Sequence, residues 1–272
     1  MSEDVETADV SLAPSGGKWR RRLRRVTPLL GFAMLAAALF IIAREVSAHD
    51  PAEIWSSFAR TRPGSAALTL ILCMVSFMML ALIERSVLQM LHCEQPFLRV
   101  FRNSFVTYGL SNAIGFSYAS APVTRARIYR NRLRAREIGA LSAITAASVA
   151  LGALTAAGGS LLIDPPQVAA APDFVLRVFG ALLLAPAAIW MAASARRDDV
   201  SFWGMRFRSL GFRRAALQVG FTTIDWLSTA GILYAFLPAA VGWSYVSFVA
   251  VFVSAGLLGA VSGTPGGLGT FE

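Results

Sequence analysis

The feature that most constrains this chain is the alternation of long uncharged apolar stretches with short, dense clusters of arginine. A soluble domain spreads charge over all its elements, because each has a solvent face. Here charge is absent from Thr27–Ala43, Gly64–Ile83, Ile138–Ile163, Val178–Ala195 and Trp243–Val261, and Asp225 alone interrupts Ala215–Leu237. Each stretch approaches or exceeds the ~18 apolar residues that mark a membrane span. Charged residues make up 15% of the chain, well below the usual quarter. In lipid the backbone must satisfy its own hydrogen bonds, which runs of this length do as helices. The expected fold is therefore an all-α integral membrane protein, a polytopic helix bundle with about six full spans.

Loop charge sets the expected topology. Basic residues concentrate in Lys18–Arg25, in 125–136 and in 196–214, and positive loops stay cytoplasmic. Asp164–Asp173 holds acids and no base, and Pro238–Gly242 holds no charge, so both are expected outside. With the N-terminus cytoplasmic, the second span returns inside at Glu84–Arg102. Because 125–136 must also be inside, Ser104–Pro122 cannot be a single crossing. It must dip in and return as a re-entrant segment, or lie at the interface as an amphipathic helix. Asn103, Ser104, Thr107, Tyr108, Ser111, Asn112, Ser117 and Ser120 are too polar to face lipid, which favours the dip. Gly109 and Gly115 permit a break there, and Pro122 is expected to end the helix.

The domain reading is a cytoplasmic basic tail over 1–26 and a transmembrane domain over 27–272. No small-residue cleavage site follows the basic run, so it orients the first helix and meets anionic headgroups, and is no secretory signal. The net charge of +9 comes from cytoplasmic loops, which argues for a membrane partner and against nucleic acid. Cys73 and Cys93 show no metal spacing and no pairing logic, and His49 and His92 read as solvated. Glu84, closing the second span, reads as interfacial. No nucleophile elbow, metal motif or phosphate-binding loop is present, so no catalytic residue, metal or cofactor is expected.

Three groups remain as candidate binding residues. Asp225 lies eleven residues past Arg214, hence ~16 Å deep in a ~30 Å core. Gln218, Thr222, Asp225 and Thr229 form one polar stripe at helical spacing, able to line a groove or hold an ammonium group. Arg125, Arg127 and Arg130 follow the re-entrant segment, and guanidinium forks suit phosphate; enforcing topology would also explain them. Ser262–Glu272, with Pro265, Gly266, Gly267, Gly269 and Glu272, is too glycine-rich for a regular helix and is expected to form a second re-entrant turn. The chain is expected to continue past Glu272. Small residues at Gly152, Ala156 and Ser160, and at Ala255, Gly259 and Gly263, let helices approach closely.

Two elements carry a family resemblance. Gly263-Thr-Pro-Gly-Gly-Leu-Gly-Thr-Phe-Glu272 resembles a signature of the membrane region of lysylphosphatidylglycerol synthases and their wider integral-membrane relatives. Asn112-Ala-Ile-Gly-Phe, followed by Thr124-Arg-Ala-Arg-Ile-Tyr129, resembles a second signature of that family. The resemblance implies a bacterial inner-membrane protein that translocates aminoacylated phosphatidylglycerol to the outer leaflet. The surface becomes less negative, and cationic antimicrobial peptides bind it less. It implies anionic phospholipid as the partner, with Arg125, Arg127, Arg130, Asp225, Gln218 and Asn112 at the headgroup, and leaves a homo-oligomer open. Full-length synthases are phosphatidylglycerol lysyltransferases, whose catalytic domain is not in this chain. Two alternatives stand beside flipping: a membrane anchor without transport, and a transporter of another anionic lipid.

Overall fold

The computed structural model describes residues 50, 56, 62–114, 117–167, 171–195, 200–202, 205–207, 211–237 and 242–262. The chain divides into two compact units, Met1–Phe58 and Ala59–Glu272, and the helices described below belong to the second. They are α1 (Pro63–Met90), α2 (Phe97–Ile114), α3 (Ser117–Tyr129), α4 (Ala135–Ile163), α5 (Asp173–Ala195), α6 (Gly211–Tyr234) and α7 (Tyr245–Ser262). Between α5 and α6 a short antiparallel hairpin, β1 (Val200–Phe202) and β2 (Met205–Phe207), pairs Ser201 with Arg206 inside the third basic cluster. The sequence reading had no strand there.

Local chemistry sets the helix ends. Pro63 opens α1, where its missing N–H is no loss. The helix closes when His92 takes a positive φ of 55°. The Cys93 N–H then returns to the Leu88 carbonyl at 2.9 Å and the His92 N–H to Gln89 at 3.2 Å. This is the two-bond stop that usually places glycine at the left-handed position. At the start of α4, the Glu137 carboxylate accepts from the Arg134 N–H at 2.7 Å, satisfying one orphan donor.

The sequence predicts about six spans; among the described residues, α1, α4 and α5 are long and apolar enough to cross a membrane. The first expected span lies outside the described residues. Helix α6 fails on composition, because Arg213, Arg214, Gln218 and Asp225 lower its hydropathy. Helix α7 is apolar over the shorter stretch Tyr245–Gly259. The physical reason is packing: a helix whose polar face is buried against neighbours need not be apolar all round. Leu70, Ile71 and Met74 of α1 and Phe179, Leu182 and Ile189 of α5 are exposed, an apolar rim of the kind lipid covers.

Residues 104–122 are divided between two helices. Helices α2 and α3 pack on each other as a hairpin, and residues 115–116 separate them. Gly109 lies inside α2. Pro122 does not end a helix, as the sequence suggested, but sits inside α3, which runs on to Tyr129. As the sixth residue of α3 it forgoes the hydrogen bond an N–H would make to the carbonyl four residues back, and the helix continues past it. The glycine-rich segment expected to form a second re-entrant turn lies outside the described residues.

Helix α4 is the hub, packing against α1, α3, α5, α6 and α7. Its apolar contacts divide into two clusters. Leu141 and Ile138 join Val87, Leu88, Val100, Tyr129 and Leu133 at one end. Ala153, Ala156 and Ala157 join Ala230, Phe248, Val249 and Val253 at the other. Between them α4 contributes buried Thr145 and Ser148, facing a layer that is polar on α6 as well. Small residues make the crossings tight. A Cβ on Gly152 would meet Thr222 at 2.3–2.5 Å, and one on Gly158 would meet the Gly180 carbonyl oxygen at 2.6 Å. On α7, Gly256 is the glycine that faces the Trp226 ring.

Beyond the apolar end, Asp164 holds α4 to α7. Its carboxylate accepts hydrogen bonds from Ser244 and from Ser247, the latter at 2.9 Å. Those two hydroxyls hold the Asp164 carboxyl below the ordinary carboxylate value. The depressed folded value means that this contact contributes fully above the unfolded carboxyl's pKa and is lost as pH falls through the folded one. Thermal unfolding in detergent should therefore show an acid-side loss of stability that Asp164→Asn removes. The packing gives a second expectation: Gly152→Ala should cost about 1–3 kcal/mol of stability, whereas Gly159→Ala, with open space around its Cβ position, should be near neutral.

Candidate functional site

Four side chains from three helices meet in the interior. Glu84 of α1 is fully buried, and so is nearly all of Arg125 of α3, at 2% exposure. The Arg125 Nη2 donates to Glu84 Oε2 at 2.9 Å and its Nε to the same oxygen at 3.3 Å. The other carboxylate oxygen accepts from the Tyr129 hydroxyl at 2.8 Å. Tyr108 of α2 accepts from Arg125 Nη2 at 2.9 Å, and the guanidinium lies 5.3 Å from the centre of its ring. Both charges are thus paired and hydrogen-bonded, the condition under which burial is tolerated.

Sequence dictates this convergence. Arg125 and Tyr129 are four residues apart and share one face of α3. Glu84 is the first charge after the apolar run of α1, and its burial corrects the interfacial reading. The hairpin between α2 and α3 brings Tyr108 back onto Arg125. A lone acid beside an apolar run and a tyrosine one turn past an arginine were the available signals; their partnership required the fold.

A second station lies farther along α1. Ser76 donates to Asp225 Oδ1 at 2.5 Å, and Asp225 is 7% exposed. Ser76 precedes Glu84 by eight residues, which on one helix is ~12 Å. On α6, one turn and more from Asp225, the Gln218 amide donates to Ser148 of α4 at 2.7 Å. The Trp226 indole donates to the Val149 carbonyl at 2.9 Å. Thr222 returns its hydroxyl to its own helix, as does Thr229. Of the polar stripe read from the sequence, Gln218, Thr222 and Asp225 are buried and Thr229 is half-buried, and its hydrogen bonds join α6 to α4 and α1.

Several buried oxygens are left over. Ser104 Oγ and Thr107 Oγ1 on α2, Ser142 Oγ on α4 and Gln218 Oε1 have no hydrogen-bond partner in the protein. Of the expected headgroup residues, Arg125, Asp225 and Gln218 are buried, each with its own partner: Glu84 for Arg125, Ser76 for Asp225 and Ser148 for Gln218. Arg127, Arg130 and Asn112 are exposed and stand outside the buried cluster. Two residues along from Arg125, Arg127 points off the shared face. Pro265, Gly266, Gly267, Gly269 and Glu272 lie outside the described residues. Cys73 and Cys93 are free thiols, and no group of metal-binding side chains occurs among the described residues.

A helical membrane protein with a buried layer of charge and amide groups is the class these features define. Residues 29–272 match the family described as the lysylphosphatidylglycerol synthase TM region, and the chain belongs to that family. It is also 24% identical over 260 residues to "Uncharacterized protein slr0712" of Synechocystis sp., covering 93% of this chain and 80% of the relative. Family membership implies a role in lipid handling.

The ion pair yields a quantitative expectation. Glu84→Gln and Arg125→Gln should each cost about 3–5 kcal/mol by stranding a buried charge. The double variant should cost less than the sum by about 1–3 kcal/mol, as measured by a double-mutant cycle of unfolding in detergent.

Proposed function

We propose that this membrane region moves aminoacylated phosphatidylglycerol, such as the lysyl lipid, from the inner to the outer leaflet of a bacterial inner membrane in which its N-terminus is cytoplasmic. Outer-leaflet enrichment lowers negative surface charge and weakens the attraction of cationic antimicrobial peptides. The observation that supports the reading is that one helix bundle buries both a guanidinium, Arg125, and a separate carboxylate, Asp225. Arg125 offers a fork suited to a lipid phosphate. Asp225 offers a carboxylate for the amine of the aminoacyl group. Buried oxygens at Ser104, Thr107, Ser142 and Gln218, which have no hydrogen-bond partner in the protein, could accept from the glycerol hydroxyl.

In this reading Glu84 holds Arg125 in the resting state, and the arriving phosphate takes over part of that pairing. The same ion pair favours the second reading, in which the region is a folded anchor for a lysyltransferase and moves nothing: a guanidinium already satisfied by Glu84 and Tyr108 is a good structural pin. A transporter of a different anionic lipid would use Arg125 without needing Asp225.

A leaflet assay separates the three. Vesicles holding the full-length protein and lysyl-phosphatidylglycerol are treated with an impermeant amine-reactive probe. Wild type should expose the lipid, and Asp225→Asn at equal protein level should slow exposure by about tenfold or more, the worth of a charge-assisted hydrogen bond. No exposure by wild type would leave the anchor; equal transport of lipids lacking the amine, unaffected by Asp225→Asn, would point to the broader transporter.

A further inference from the structure

We infer that Asp225 carries a proton whenever no lipid amine occupies it, so that loading the aminoacyl lipid expels that proton and the protein exchanges one for the other. The inference rests on the proposed function and adds the ion that is exchanged.

The geometry begins with what surrounds the carboxyl. Asp225 lies in the middle of α6, 7% exposed, and its side-chain hydrogen bond comes from the neutral hydroxyl of Ser76. No basic side chain of the described residues lies within ion-pair distance of it; the ion pair among them is Glu84 with Arg125. The elements packed on α6 offer few other charges. On α1 these are Cys73, Arg85, and Glu84, whose charge Arg125 already balances. On α4, Arg136 and Glu137 sit in the first turn, well away from the Ser148–Gly152 stretch that meets α6. Asp173 and Arg177 occupy the first turns of α5, and Arg177 donates to the Leu162 carbonyl at 2.7 Å. On α7, the Tyr245 hydroxyl donates to the Leu227 carbonyl at 2.6 Å. On α2, the Tyr108 hydroxyl accepts from Arg125 Nη2 at 2.9 Å. On α6 itself, Arg213 and Arg214 are eleven residues or more away toward the helix start, and Tyr234 donates to Trp243 at 2.9 Å.

A lone carboxylate in such a place is expensive, and it has two ways to become neutral: take a proton or bind a cation. An ammonium group beside it makes an ion pair, which the proton would destroy. The two ligands therefore exclude each other. The exchange balances as one lipid ammonium plus the protonated carboxyl giving the ammonium–carboxylate pair plus one proton in solution. Reversed on the outer side, a proton displaces the ammonium and resets the site. Either loaded form leaves the polar layer with no net charge at Asp225, the condition for moving it through a low-dielectric interior.

The test is equilibrium binding of a short-chain lysyl-phosphatidylglycerol to the full chain in detergent, with the parent phosphatidylglycerol as control. From neutral to mildly acidic pH the apparent Kd for the lysyl lipid should rise, toward a limit of about tenfold per pH unit. Binding in weakly buffered solution should release up to one proton per lipid. The parent lipid should show neither effect. Acid weakening cannot come from the lipid amine, which gains its charge in acid. Asp225→Asn should abolish proton release and flatten the pH dependence, and Asp225→Glu should retain both. Binding of the lysyl lipid without pH dependence or proton release, or a pH dependence that survives Asp225→Asn, would overturn the exchange while leaving the proposed function standing. No binding of the lysyl lipid at any pH would remove both.

Discussion

Burial of the Glu84–Arg125 pair is the constraint around which the rest is arranged. Two opposite charges at 2.9 Å in a nearly water-free interior hold only while both stay paired. Glu84 belongs to the long apolar helix α1, and Arg125 to the second leg of the α2–α3 hairpin. The pair therefore locks a hairpin to a span, and Tyr129 and Tyr108 complete its hydrogen bonds from either side. Breaking the pair would expose a lone charge, so the hairpin has one stable seat. The apolar cluster of Val87, Leu88, Val100, Leu133 and Leu141 closes over that seat.

A layered interior follows. Apolar residues pack at either end of α4, and the layer between them is polar on α1, α2, α4 and α6. Its coherence comes from small residues as much as from hydrogen bonds. Gly152 lets the Thr222 backbone approach, which brings Gln218 within reach of Ser148 and Trp226 within reach of Val149. Helix packing and polar recognition are here one arrangement: were Gly152 larger, the amide and the indole would lose their partners together.

The site is chemically asymmetric. At one level a guanidinium is neutralised by a carboxylate and cushioned by two phenols. At another, ~12 Å along the same helix, a carboxylate has one hydroxyl for company. The first station is balanced without a ligand, and the second is not. That difference is why the first can hold the fold together while the second keeps a carboxylate without a cationic partner among the described residues.

The sequence by itself determined the class of protein, the helical spans of α1, α4 and α5, the break within 104–122 and the polar stripe of α6. Each is a property of local composition: uncharged length, arginine placement, or recurrence at helical spacing. It also singled out Asp225, because an ionisable group within a span stands out against an apolar background, and it offered Arg125 together with Arg127 and Arg130. What the tertiary structure decided was partnership. Glu84 reads as interfacial in sequence because a chain end of a span usually meets water, and only the folded-back hairpin covers it. Arg125, Arg127 and Arg130 are alike in sequence, and only the face of α3 that meets α1 separates the buried one from the exposed two. Pro122 looks like a stop and is absorbed near the start of α3. Long-range pairing sets a charge's environment, and a single sequence records the charge but not the helix that will cover it.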